Sequence, residues 1–319
     1  MEVVPAIDPE VLAAIRAAGM PVPPRITPSM IPSIRESYSM TAVQAVGGRS
    51  IDHRDVAVPV DGAEIALTVF RRRGSSATGA PAVFFVHGGG MFSGDRFLGA
   101  EEYLDWVDQL DVVVVSVEYR LAPEHPDPVP VSDCYAGLLW VWSHAEELGI
   151  DRDRLVAAGS SAGAGLAAGI SLMARDRGEV HLAGSLLASP MLDDRSSTSS
   201  RTLADSTTGT WDRVSNDTAW GALLGDRRGG ELVTSYAAPA RAAQLSGLPP
   251  TYVDCATAEL FRDEGIEYAR RIWSAGGSAE LHVWPGGVHG FERIAPEAAI
   301  AVAARAAHVA WLARVLAVE

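Results

Sequence analysis

Not one lysine occurs in the 319 residues, so every basic side chain other than histidine is an arginine. That absence excludes Schiff-base chemistry, Ser-Lys hydrolases and Walker-type phosphate loops, each of which needs an amine. Cysteine is nearly absent too. Cys134 and Cys255 offer neither a disulfide framework nor the spacing of a metal site, and read as small buried hydrophobes. No apolar run approaches the ~18–20 residues of a membrane span. Residues 1–20 carry Glu2, Asp8 and Glu10 and lack the long apolar stretch of a signal peptide. The expectation is no membrane association and a cytoplasmic location. Positive charge is scarce as well: 26 arginines face 40 acidic residues, a net charge of −14. That balance argues against binding to nucleic acid or anionic lipid through a basic surface.

What is present suffices for a large core, since 48% of residues are hydrophobic and an ordinary 21% are charged. The length allows two average domains, or one large α/β domain with an inserted or N-terminal cap. Asp8-Pro9-Glu10 has the form of an N-cap, a first-turn proline and a first-turn acid. Val11, Leu12 and Ile15 then give a short helix one apolar face that needs a partner. Residues 20–50, rich in Pro and Ser, predict loops with one short helix. From residue 55 the pattern changes. Val56–Val60 and Ile65–Phe70, separated by Asp61-Gly62, predict a β-hairpin. The continuous apolar runs Ala82–Val86 and Val112–Val117 predict strands buried on both faces. Further strands are predicted at Leu155–Ala158, Gly184–Ser189, Thr251–Ala256 and Glu280–Trp284. Helices are predicted at Ala100–Leu110, Ser132–Leu148, after the Leu155–Ala158 strand, Arg262–Ala275 and Pro296–Val318. A leading hairpin followed by alternating strand and helix argues an α/β fold with an eight-stranded, mostly parallel sheet covered on both faces.

Segment 193–247 breaks that alternation. It carries Trp211, Trp220, Leu223, Leu224 and Tyr236 and has room for two helices between strands, as a lid or binding insertion would. A packed surface subdomain is the plainer alternative. The division expected is an arm over 1–50, a core over 51–192 and 248–319, and a cap over 193–247.

Chemistry centres on Gly159-Ser160-Ser161-Ala162-Gly163, between a short apolar run and a small-residue helix. G-x-S-x-G in a strand–turn–helix setting is a nucleophile elbow, which lifts the serine hydroxyl above the sheet. Its glycines are needed because strand and helix backbones pass too close for a Cβ. Ser161, flanked by glycines at both −2 and +2, is the candidate nucleophile. A second motif, His87-Gly88-Gly89-Gly90, directly follows the Phe84-Phe85-Val86 strand. Three consecutive glycines are tolerated where backbone approaches a ligand. In an acyl hydrolase the amides of Gly88 and Gly89, with that of Ala162, would point at one oxygen as an oxyanion hole. His87 reads as structural, bonding loop backbone.

A serine hydroxyl needs a base. Of the eight histidines, His144 and His308 fall on helices and His282 in a strand, whereas His289 lies in a glycine-rich loop just beyond the last strand. The chain order serine, acid, histidine selects it. The acid is expected beyond Thr251–Ala256. Asp254 is inside that strand and Asp263 reads as a first-turn helix residue. Glu259, on the intervening loop, is the candidate, in the role of holding the imidazole tautomer.

With these motifs in place the chain resembles the bacterial hormone-sensitive-lipase family of α/β-hydrolase esterases. The matching stretches are His87–Gly90, Tyr119–Pro126, Gly159–Gly163, Glu259–Gly265 and His289-Gly290-Phe291. Two departures stand out: Ser160 occupies the place where the family often has Asp, and Glu259 the place of its usual catalytic Asp. The resemblance implies hydrolysis of short-chain carboxylic esters without a cofactor or metal, a cap made of the N-terminal arm and the 193–247 region, and a homodimer. Met91, Phe92, Trp211 and Trp220 are candidates to line the substrate pocket, with plain core packing an equal alternative. Two other readings share the fold: a small-molecule receptor, against which His289 argues, and an amidase or lactonase, which the sequence does not separate from an esterase.

Overall fold

The computed structural model describes residues 5–20, 24–75, 78–195 and 210–318. Its frame is one eight-stranded sheet in the order β1-β2-β4-β3-β5-β6-β7-β8. β1 (Ile51–Val60) and β2 (Ala63–Arg72) form the predicted antiparallel hairpin, and β2 pairs antiparallel with β4 (Val113–Glu118). Asp61 and Gly62 both have positive φ, 44° and 77°, as a tight hairpin turn requires. All later pairings are parallel: β3 (Ala80–Val86), β5 (Ile150–Ser160), β6 (Gly184–Ala188), β7 (Thr251–Ala256) and β8 (Ala279–Trp284).

Strand alternation assigns the two covering layers. Ala82, Phe84 and Val86 of β3 pack with Val131, Leu138 and Val141 of one helix and with Leu166 and Ile170 of another. Val83 and Phe85, on the opposite face, pack with Tyr103, Leu104 and Trp106, and with Trp311 and Leu312 near the C-terminus. This is the period-2 consequence of a strand buried on both sides. The helix following β5, Ala162–Arg177, is buried on all sides over Ala162–Ala174, which fits its small residues.

Several boundaries differ from expectation. The helix predicted over 132–148 begins at Val129 and divides at His144, whose ring stacks on Trp140 and lies 2.9 Å from the Trp140 carbonyl. The last long helix covers Ala299–Val315, preceded by a short turn at Phe291–Ile294. Residues 24–50 hold two short α-helices, Ile31–Ser37 and Ala42–Val46, not one, with a 3₁₀ turn over Pro28–Met30 leading into the first. The second starts at a capping box in which Thr41 and Gln44 satisfy each other's amides.

The N-terminal helix, Pro9–Ala17, finds its partner across the sheet ends. Val11 and Ile15 pack against Val288 and Phe291, the neighbours of His289. The Asp8 amide also donates to the Gly286 carbonyl at 2.8 Å. Further along, Ile26 exchanges hydrogen bonds with Ser215 and Thr218, which lie on a helix over Arg213–Leu224. The arm and segment 210–224 are thus joined to each other. Of the two helices expected in 193–247, this one lies within the described residues; 196–209 lies outside them.

Candidate active site

Ser161 stands between β5 and the helix Ala162–Arg177, with φ 57° and ψ −123°. A non-glycine residue there is strained and must be held from outside. Three bonds hold it. Its amide donates to Ala188 at 2.8 Å, and its carbonyl accepts from Gly165 and Met191, each at 3.1 Å. A Cβ on Gly163 would lie 2.1 Å from the Val86 carbonyl oxygen, so only glycine lets the helix start against the sheet.

His289 follows β8. Its Nε2 lies 2.8 Å from Ser161 Oγ and its Nδ1 2.8 Å from Glu259 Oε2. An ionised carboxylate only accepts, so Nδ1 carries the proton and Nε2 accepts from the serine hydroxyl. The imidazole meets the edge-on ring of Phe261 at 5.0 Å, and Thr210 donates to the backbone carbonyl of His289 at 2.6 Å. Glu259 is fully buried at its side chain. Its second oxygen accepts from the Ala256 amide and the Ser189 hydroxyl. The other two acids considered from the sequence are engaged elsewhere. Asp263 pairs with Arg262 at 2.7 Å, and Asp254 accepts from Trp284 Nε1 at 3.0 Å and from His308 Nε2 at 2.7 Å.

Gly88 and Gly89 line the same pocket as Ser161 and His289. A Cβ on Gly88 would sit 3.3 Å from Ser161 Cβ, which measures how closely the loop passes the hydroxyl. Gly89 has φ 101°, and its carbonyl accepts the amides of Phe92 and Ser93. Ala162 is the first residue of its helix, so its amide has no intrahelical acceptor. Among the described residues none of these three amides meets a protein acceptor. His87 is buried, stacks on Tyr119 at 4.2 Å and has Nδ1 2.8 Å from the Gly88 carbonyl. Burial pushes its imidazole below the ordinary range, so it stays neutral and structural.

Of the four residues offered as pocket walls, Trp211 lies on the pocket and Met91, Phe92 and Trp220 do not. All three are wholly buried in the main core, where their apolar surface finds more contact than a cavity wall supplies. Phe92 reaches the site indirectly, stacked on Trp211 at 6.3 Å. The sequence reading did not name Met20 and Tyr38 of the arm, or Leu98, Glu102 and Glu292, all of which line the pocket. Through Glu102 and Glu292 this wall adjoins a buried cluster. His308 is hydrogen-bonded to Asp254 and Glu102, and burial beside those carboxylates holds Glu292 well above the usual carboxylate range. No group of three His, Cys, Asp or Glu among the described residues is arranged to hold a metal ion, and no described helix is long and apolar enough to cross a membrane.

Residues 83–293 match a family model described as alpha/beta hydrolase fold. The chain belongs to that family and is of its hormone-sensitive-lipase type. Among its relatives, carboxylesterase NlhH of Mycobacterium tuberculosis is 37% identical over 242 residues, 74% of each chain. Esterase LipI of the same organism is 36% identical over 217 residues, 66% of each. Among solved structures, a bacterial heroin esterase superposes with a TM-score of 0.88 at 37% identity, covering 98% of both chains. Esterase LipW from Mycobacterium marinum gives 0.85 at 32% identity, over 97% of this chain and 96% of that one.

Proposed function

We propose that the chain is a carboxylesterase that works through an acyl-enzyme formed on Ser161, with His289 as general base and acid and Glu259 as its carboxylate partner. The observation that carries this is the continuous pair of 2.8 Å contacts from Ser161 Oγ through the imidazole to Glu259. The relatives, named as esterases and carboxylesterases, support the same chemistry.

His289 takes the hydroxyl proton as Ser161 attacks the ester carbonyl. The carbonyl oxygen gains charge and is met by the amides of Gly88, Gly89 and Ala162, aimed before the reaction begins. Glu259 stabilises the imidazolium and keeps the ring oriented, and itself stays ionised. The imidazolium then protonates the departing alcohol, and water on the reverse path releases the acid.

The substrate is a small ester, with a short acyl chain the preferred form, in keeping with a pocket walled by residues from the arm and by Trp211. The arm over 1–50 and the segment 193–247 form a cap over the core of 51–192 and 248–319. The Ile26 bonds to Ser215 and Thr218 support that division. The receptor reading does not account for an imidazole set against the serine.

Hydrolysis of an activated aryl ester by wild type and Ser161→Ala tests the assignment. Turnover by wild type and its loss in the variant are expected; equal turnover by both would end it. Light scattering of the purified chain tests the homodimer that the family resemblance implies.

A further inference from the structure

One strand end serves two parts of the site. Ala188, the last residue of β6, accepts the Ser161 amide. Ser189, the next residue, is 5% exposed and turns its hydroxyl to Glu259 Oε1 at 3.1 Å. Its backbone is left-handed, with φ 46°, a conformation a serine adopts only when its surroundings impose it. Asp254 imposes it. The Ser189 amide donates to both the carbonyl of Asp254, at 3.0 Å, and its carboxylate, at 3.2 Å. Asp254 is in turn fixed by Trp284 from β8 and by His308 from the helix Ala299–Val315.

Glutamate has one more rotatable bond than aspartate, so its carboxylate has more ways to leave the imidazole. Here Oε1 is held by two donors while Oε2 faces His289 Nδ1. One donor is the Ala256 amide, in the same turn as Glu259. The other, Ser189, comes from a different strand and ties the carboxylate to the end of the sheet that also holds the nucleophile.

We infer that Ser189 is a positioning residue: its hydroxyl fixes the rotamer of Glu259 and so acts through that carboxylate on His289. The inference rests on the catalytic reading given above. The left-handed backbone supplies a clean test. Ser189→Ala removes the hydroxyl and keeps the strain, whereas Ser189→Gly removes the hydroxyl and relieves it.

Steady-state hydrolysis of an aryl ester is to be measured for both variants, alone and combined with Glu259→Ala, beside thermal unfolding. Each single variant is expected to lose roughly 10-fold or more in kcat, the scale of a hydrogen bond to a charged group, with KM changed less than about twofold. Ser189→Gly is expected to melt no lower than wild type. Neither substitution should cost anything further once Glu259 is alanine, because residues acting as a unit are not additive. Unchanged kcat in both variants, a rise in KM alone, or the same loss with and without Glu259 would each overturn the inference. Wild-type activity in Glu259→Ala by itself would overturn it together with the assignment of Glu259, and that single variant tells the two failures apart.

Discussion

Glu259 Oε2 and His289 Nδ1 lie 2.8 Å apart, although the two residues arrive on different loops, beyond β7 and beyond β8. Asp263, one helical turn past Glu259, never enters this pair. It sits in the first turn of the helix Arg262–Ser274, bound to Arg262 and 41% exposed at its side chain. Glu259→Ala is therefore expected to lower kcat by about 10⁴, the scale set by a lost triad acid, while the protein stays folded. Asp263→Ala removes only a partly exposed ion pair, worth at most ~1 kcal/mol, and should keep kcat within about twofold. Michaelis kinetics on the two variants decide between the acids, and the reverse ranking would move the role to Asp263.

Trp211 and Trp220 separate by function. Trp211 faces the pocket, with its ring 6.1 Å from that of His289, whereas Trp220 is wholly buried; neither indole N–H meets an acceptor among the described residues. Trp211→Ala should widen the pocket and shift kcat/KM toward longer acyl chains, with unfolding little changed. Trp220→Ala should cost about 3–5 kcal/mol of stability through the cavity it leaves. Trp220→Phe should cost much less, since it also removes a buried donor that meets no acceptor among the described residues. Denaturant midpoints and a series of acyl esters read the two effects independently. A chain-length profile identical in Trp211→Ala and wild type would remove Trp211 from the pocket wall.

The parts of this molecule legible in the sequence are those whose cause is local. The Asp61-Gly62 turn, the apolar runs of β3 and β4 and the glycines of Gly159–Gly163 each state a backbone requirement within a few residues. The resemblance to the family rests on longer motifs, His87–Gly90, Tyr119–Pro126, Gly159–Gly163, Glu259–Gly265 and His289-Gly290-Phe291. The three side chains that meet at Ser161 are marked the same way, by their loops. The pocket wall is not. Met20 follows the helix that docks through Val11 and Ile15 onto the histidine loop, and Tyr38 follows Arg35, which bonds the Phe92 and Ala122 carbonyls and Glu124; all are contacts distant in sequence. Met91, Phe92 and Trp220 look like wall residues by type, but buried area decides their place. The Thr41–Gln44 capping box is local in the same way as the Asp61-Gly62 turn, its two partners standing three residues apart. The break at His144 carries no Gly or Pro to announce it. Asp254 and His308 read as an ordinary strand residue and an ordinary helix residue, since nothing in either segment shows they pair at 2.7 Å.

Gly89 tests the oxyanion loop. A Cβ there would fall 2.1 Å from the Ser93 carbonyl oxygen, and φ of 101° disfavours any other residue. Gly89→Ala must therefore displace the loop and its amides. Losing one aligned donor costs about 10²–10³ in kcat. The loss should appear in kcat for esters while acylation-independent binding of a substrate-like ketone stays close to wild type. Full activity in Gly89→Ala would mean that this amide contributes nothing to the transition state.

The buried cluster adjoining the pocket sets a pH dependence of stability. Burial alone would lower the proton affinity of His308, but Asp254 and Glu102 more than offset it and hold its pKa well above the ordinary 6.5. The folded protein thus keeps an imidazolium where the unfolded chain would release its proton. Below about pH 6.5 both states are protonated, and the contribution of His308 is complete. As pH rises from there toward the folded value, the unfolded state binds fewer protons than the folded one, so stability declines. Glu292 and Glu264, both raised by burial, add slopes of the same sign that begin near their ordinary 4.5. His308→Gln isolates the histidine from them. It leaves Asp254 and Glu102 without their cation and should cost about 3–5 kcal/mol at pH 6. The deficit should shrink between pH 6.5 and 9, because the slopes from Glu292 and Glu264 are common to both proteins and only wild type loses the His308 contribution. Urea midpoints for both proteins across that range make the comparison. A deficit that stays constant with pH would show that His308 is neutral in the folded protein.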